Sequence, residues 1–287
     1  MRRLAAAVAA VTVSAATLIA AVALPTGAGA AGLNYVAMGD SYSAASGNLP
    51  LDRTAAPECL RSTKNYPHLI AKAIGAHLTD VTCGGAETKD YATAQYNGVP
   101  PQLDALGTAT QLVTMTIGGN DSGLFINVIL DCGSLGLATL GTGAPCLKKY
   151  GSSFDDTINN VTYPALVNAL QAVKAKAPNA TVAILGYPWI MPPTTGCYPQ
   201  MPLAKGDVPY VYNIQATLNN AVQRAAAATG AVYVDFGTVS TGHDACKRAG
   251  VRWVEPVLAG TNPVIIHPNT LGEKKMAAQT LSVLGLG

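Results

Sequence analysis

Three short uncharged runs constrain this chain most: Tyr35-Val36-Ala37-Met38, 112–117 and 181–185. None carries the polar alternation of a half-exposed strand. Continuous apolar runs of this length suit strands covered on both faces, as in a parallel sheet. Between and after them lie segments with apolar residues at helical spacing: Tyr66–Ile74, 154–176 and 211–228, with a closing helix over Thr270–Leu284. Val161, Leu166, Ala169, Leu170 and Val173 form the apolar side of the second of these. The shorter stretches 77–83 and 231–236 supply a second and a fifth strand. Strands alternating with helices imply an α/β domain with right-handed crossovers and helices on both faces of a five-stranded parallel sheet. Two stretches read as loops: 131–152, rich in Gly, Ser and Thr and holding Cys132 and Cys146, and the proline-dense 186–209. There is no internal repeat or heptad.

The amino terminus has a different character. Met1-Arg2-Arg3 precedes an uncharged run from Leu4 to Leu24, and Ala28-Gly29-Ala30 offers a small-residue cleavage site. Residues 1–30 read as a secretory signal peptide cleaved near Ala30, leaving one domain over 31–287 in an extracellular protein. An uncleaved membrane anchor is the competing reading, because the run is long enough to span a bilayer. Cleavage removes Arg2 and Arg3 and no acid, so the 18 basic residues less these two match the 16 acidic ones. No Lys/Arg cluster remains to track phosphates, which argues against a nucleic-acid partner. Six cysteines in an exported chain suggest three disulfides, although six allow many pairings. Taken consecutively they pair as Cys59–Cys83, Cys132–Cys146 and Cys197–Cys246, each loop worth on the order of 3–4 kcal/mol by chain entropy. No C-x-x-C or H-x-x-x-H spacing suits zinc.

Three strand ends share a pattern. The first ends in Gly39-Asp40-Ser41, the second in Gly84-Gly85-Ala86, the third in Gly118-Gly119-Asn120-Asp121. In a parallel sheet these carboxyl ends lie along one edge, where open α/β folds bind ligands. That edge would carry a hydroxyl, a glycine N–H open to close approach, and an amide. Ester cleavage needs such a set: a nucleophile, and donors aimed where charge develops on the carbonyl oxygen. His267, just ahead of the closing helix, supplies a base.

Gly39-Asp40-Ser41-Tyr42-Ser43, Gly85, Gly119-Asn120-Asp121 and His267-Pro268 resemble the four blocks of the SGNH (GDSL-type) hydrolases, in order and across the whole mature chain. The consecutive cysteine pairs and the loop Gly242-His243-Asp244-Ala245-Cys246 resemble the secreted bacterial lipase and esterase branch. The resemblance implies a flavodoxin-like three-layer α/β/α sandwich. It implies Ser41 as nucleophile, His267 as base, and an oxyanion hole from the Ser41 N–H, the Gly85 N–H and the Asn120 side chain. It implies no metal or organic cofactor, a small-molecule or lipid ester as substrate, transient contact with lipid surfaces, and a monomer.

One position departs from the family. Many members carry an Asp three residues before the histidine; here that residue is Val264. A backbone carbonyl, of Val264 or Ile265, is the expected substitute, giving a dyad; Asp235, Asp244 and Glu255 are the upstream acids that could act instead. A neutral acceptor fixes the tautomer but stabilises the imidazolium less than a carboxylate does. His243 reads as structural, His68 falls within a helix and His77 starts a strand. Asp40 and Asp121 read as braces for their turns. Trp189 and Trp253 either line an acyl pocket or pack the long loops. Other functions on the same framework are a carbohydrate deacetylase, a two-metal phosphoesterase and a non-catalytic carbohydrate-binding protein. The four histidines, none spaced H-x-H, weigh against the two-metal site.

Overall fold

The computed structural model describes residues 32–287; the expected signal peptide lies outside the described residues. Five parallel strands run in the order β2-β1-β3-β4-β5: β1 Asn34–Gly39, β2 His77–Asp80, β3 Leu112–Thr116, β4 Thr181–Leu185 and β5 Val232–Val234. The central strands are the ones whose sequence is apolar on both faces. Tyr35, Val36, Ala37 and Met38 are buried, and so is every residue of β3. β1 pairs with β2 on one side and with β3 on the other, Met38 opposite Met115 and Gly39 opposite Thr116. The chain order reverses between β1 and β3, so the crevice of a doubly wound sheet opens beyond their carboxyl ends.

Helices cover the sheet: α1 Ser41–Ala44, α2 Tyr66–Ile74, α3 Leu124–Ala138, α4 Pro145–Tyr150, α5 Ser153–Thr157, α6 Tyr163–Lys176, α7 Val208–Thr229 and α8 Thr270–Leu284. α2 packs against α8, and α6 against α7. The ends of α2 and α8 are set by local chemistry. Asn65 caps α2 by accepting the His68 N–H at 3.1 Å, and Asn269 caps α8 by accepting those of Leu271 and Gly272. Leu166, Leu170 and Val173 of α6 are wholly buried, each contributing about 1.5–3 kcal/mol of transfer free energy.

Three expectations need correction. Residues 131–152 are not a loop: they hold most of α3 and all of α4, and α3 begins well upstream at Leu124. The glycines that suggested a loop serve close packing. A Cβ on Gly136 would lie 2.1 Å from the Pro202 carbonyl oxygen, so only glycine lets the helix approach that strand of chain. The helix expected over 154–176 is broken by a wide π-type turn, Ile158–Thr162. Pro164 has no N–H to return to the preceding turn, and the hydrogen-bond ladder slips just before it. The slip leaves Val161 49% exposed, outside the apolar face it was assigned to. The outer strands are also shorter than expected. Asp80 turns the chain by accepting the Thr82 N–H at 3.0 Å, and Asp235 does so by accepting that of Gly237 at 2.9 Å.

Disulfides join Cys59 to Cys83, Cys132 to Cys146 and Cys197 to Cys246. The first fastens the loop beyond β2, the second clamps α4 to α3, and the third ties the loop beyond β4 to the loop beyond β5.

Candidate active site

The turn after β1 is tightly built. Gly39 has φ +118°, and a Cβ there would lie 2.3 Å from the Thr116 carbonyl oxygen. Its N–H and carbonyl are both held by the side-chain amide of Gln102, at 2.7 and 3.0 Å. Asp40 comes next and is buried; its carboxylate caps α1 through the Tyr42 N–H at 3.0 Å. It also accepts the Thr116 hydroxyl at 2.6 Å and the Tyr187 hydroxyl at 2.5 Å. Burial drives the Asp40 pKa up to about 6, against the pull of these donors. Ser41 opens α1 directly above this network.

The other two strand ends are drawn to the same place. Beyond β2, the Gly84 N–H donates to the Cys59 carbonyl at 2.8 Å, which ties Gly85 to the disulfide. Beyond β3, the Asn120 side-chain N–H donates to the Ala86 carbonyl at 3.1 Å. Asp121 accepts both the N–H and the hydroxyl of Thr88, at 2.8 and 2.9 Å, and burial raises its pKa to about 6. Asn120 is thus fixed one residue from Gly85. Among the described residues the N–H groups of Ser41 and Gly85 donate to no protein acceptor.

His267 arrives from a different kind of structure. Its loop is zipped against residues 253–255 by backbone bonds. The Glu255 N–H donates to the His267 carbonyl, the Ile266 N–H to the Glu255 carbonyl, and the Asn269 N–H to the Trp253 carbonyl, all within 2.9 Å. The imidazole Nδ1 lies 2.6 Å from the Ile265 carbonyl oxygen. With a carbonyl opposite, Nδ1 must carry the proton. Nε2 is buried and has no hydrogen-bond partner among the described residues. Burial lowers the His267 pKa below the ordinary imidazole range, and the Ile265 contact offsets part of that. Tyr42, next to Ser41, spans to this loop: its hydroxyl donates to the Ile266 carbonyl at 2.6 Å, and its ring centroid lies 5.3 Å from that of His267.

The three upstream acids are engaged elsewhere. Glu255 accepts from Arg252, Thr261 and Asn269, Asp244 from the Cys246 N–H, and Asp235 from Gly237. His243 donates its Nδ1 hydrogen to the Val251 carbonyl and stacks on Trp253 with ring centroids 4.7 Å apart. Trp189 donates its indole N–H to the Gly237 carbonyl and stacks on Tyr212. Both tryptophans therefore pack loops. Among the described residues no three His, Cys, Asp or Glu side chains converge as metal ligands.

Sequence reasoning passed over Tyr187. Its hydroxyl donates to Asp40 and accepts the Gly119 N–H at 3.0 Å, joining the serine turn to the residue before Asn120. The available signal was its place two residues beyond β4, at the same sheet edge as the other site residues.

Residues 37–275 match the model of the GDSL-like lipase/acylhydrolase family. The chain is 60% identical over 256 residues to Lipase 2 of Streptomyces coelicolor, covering 88% of this chain and 86% of that protein. Among solved structures, phospholipase A1 of Streptomyces albidoflavus superposes with a TM-score of 0.73 at 31% identity, covering 89% of this chain and 99% of that one. The extracellular lipase of Streptomyces rimosus gives 0.72 at 29%, covering 88% and 98%. An acetylxylan esterase of Geobacillus stearothermophilus, at 14% identity, shares the fold alone. The chain therefore belongs to the GDSL-like lipase/acylhydrolase family and is a carboxylic ester hydrolase.

Proposed function

We propose that this enzyme cleaves lipid esters outside the cell through a dyad of Ser41 and His267. The observation that carries the dyad is the pairing of His267 Nδ1 with the Ile265 carbonyl, which leaves Nε2 as the free basic nitrogen. In the first step Ser41 Oγ bonds to the ester carbonyl carbon as its proton passes to Nε2. The carbonyl oxygen, now an anion, is held by the N–H groups of Ser41 and Gly85 and the Asn120 amide. Collapse breaks the bond to the alcohol, which leaves with the proton from Nε2. Water then attacks the acyl-enzyme as its proton passes to Nε2, and Nε2 returns that proton to Ser41 Oγ as the bond to the acyl carbon breaks and the acid leaves.

A lipid acyl ester is favoured by the activities of the relatives, a phospholipase A1 and several lipases, which share about a third or more of their residues with this chain. Export with cleavage near Ala30 is supported by the apolar amino terminus and by three disulfides. Ser41→Ala should abolish both ester turnover and labelling by a fluorophosphonate while the melting curve is unchanged. Turnover above about a tenth of wild type, one decade of rate, would remove Ser41 from the role. A chain-length series of nitrophenyl esters beside a phospholipid tests the substrate; a preference for acetyl esters alone would point to a sugar deacetylase.

A further inference from the structure

α3 is apolar on two sides. Its inner side, Leu124, Val128, Ile129 and Cys132, is buried. That side forms a narrow aliphatic seam with Ile190, Ile214 and Leu218. Its outer side exposes Ile126, Leu130 and Leu137, at 45%, 52% and 50% of their surface. Their spacing of four and seven residues places them along one helix face. Leu140, just past the helix end, is 78% exposed, and Leu147 of α4 is 45% exposed. Between residues 124 and 142 the only charged side chain is Asp131, and its carboxylate is taken by the Tyr150 hydroxyl at 2.8 Å. A folded chain in water gains nothing from such a stripe, and a contiguous exposed patch of this kind marks a contact surface.

We infer that the outer face of α3, together with Leu140 and α4, docks on a phospholipid surface with anionic headgroups. This rests on the lipid-ester reading above and deepens it by naming the surface that meets the substrate. Position is the first argument. α3 begins four residues beyond Asn120, and Phe125 in its first turn packs on Tyr187 with ring centroids 5.5 Å apart. The apolar stripe is therefore continuous with the rim of the crevice where an ester must enter. Charge is the second. α4 is clamped to α3 by Cys132–Cys146 and by the Tyr150–Asp131 bond, and it exposes Lys148 and Lys149 beside Leu147. Aliphatic side chains entering the acyl region, flanked by ammonium groups at headgroup level, suit an anionic interface. A second copy of this chain fits less well. A two-fold contact would bring the lysines towards their own copies, and the one acid of α3, Asp131, is already engaged.

The mature enzyme should co-sediment with phosphatidylcholine–phosphatidylglycerol vesicles and stay monomeric without them. An Ile126→Ser/Leu130→Ser/Leu137→Ser variant should lose vesicle binding and vesicle hydrolysis by about tenfold or more. Its turnover of a soluble short-chain nitrophenyl ester and its melting temperature should be unchanged. Lys148→Gln/Lys149→Gln should weaken binding to the mixed vesicles while leaving soluble turnover intact. Undiminished vesicle binding by either variant, or no binding by wild type, overturns the assignment. So does a wild-type dimer that the triple variant converts to monomer, which would give the face to a second copy. Failure of wild type to turn over the soluble ester would instead count against the ester-hydrolase reading, and the two failures are separately visible.

Discussion

The serine side and the histidine side of the site are held by opposite means. Beneath Ser41 lies a buried network of side chains: Asp40, Thr116, Ser43, Tyr66 and Tyr187 share bonds of 2.5–3.0 Å across three strand ends. Around His267 the backbone does the holding, through Ile265, Glu255 and Trp253, and among the described residues the ring hydrogen-bonds to a neutral carbonyl alone. Among the described residues no carboxylate bonds to the imidazole, and Asp40 stands under the nucleophile's turn instead. A side-chain network anchored on strands tolerates no slip, since each buried polar group left unpaired costs about 1–3 kcal/mol. A ring oriented by main-chain carbonyls needs only that the loop keep its path. The two halves should therefore respond differently to substitution.

The largest effect belongs to the histidine itself. His267→Ala should lower kcat/KM by about 10⁴ or more with the fold intact, because it removes the nitrogen assigned to take the Ser41 proton. Loss below a hundredfold would mean that another group takes the proton. Asn120→Ala should follow, with a fall in kcat of roughly 10²–10³ and little change in KM. A raised KM at constant kcat would make Asn120 a ground-state binding residue. Tyr187→Phe is the test of the serine side. It strands the Gly119 N–H and removes a donor from Asp40, so we expect destabilisation of about 1–3 kcal/mol and a fall of roughly tenfold in kcat. Unaltered stability would show that the network is not what holds the turn.

How much of this was readable beforehand follows the same division. β1, β3 and β4 were legible because each strand is apolar on both faces, and α2 because its apolar residues recur at helical spacing. Ser41 and Asn120 were legible because side chains at strand ends have names. The orienting carbonyl was legible only as a pair, Val264 or Ile265, because every residue carries one; the loop's path selects Ile265. Glu255 illustrates the converse: its sequence position made it a candidate partner for His267, yet its carboxylate fastens Arg252, Thr261 and Asn269 within the loop. α3 is hard to read because its glycines suggest a turn, whereas close packing on the Pro202 carbonyl requires Gly136 inside the helix.

The smallest effects on chemistry should come from the acids. Asp235→Asn, Asp244→Asn and Glu255→Gln should each keep kcat within about tenfold, roughly 1.4 kcal/mol. Glu255→Gln should nevertheless melt earlier, because it weakens a buried pair with Arg252 at 2.7 Å. A thousandfold loss of kcat in one folded variant would restore a triad.

The most direct test is an NMR titration of the His267 imidazole in the free enzyme. A ring buried against a neutral carbonyl should titrate below the ordinary value of 6.5, with the proton on Nδ1 in its neutral form. A titration above about 7, as a carboxylate partner would produce, would contradict the account.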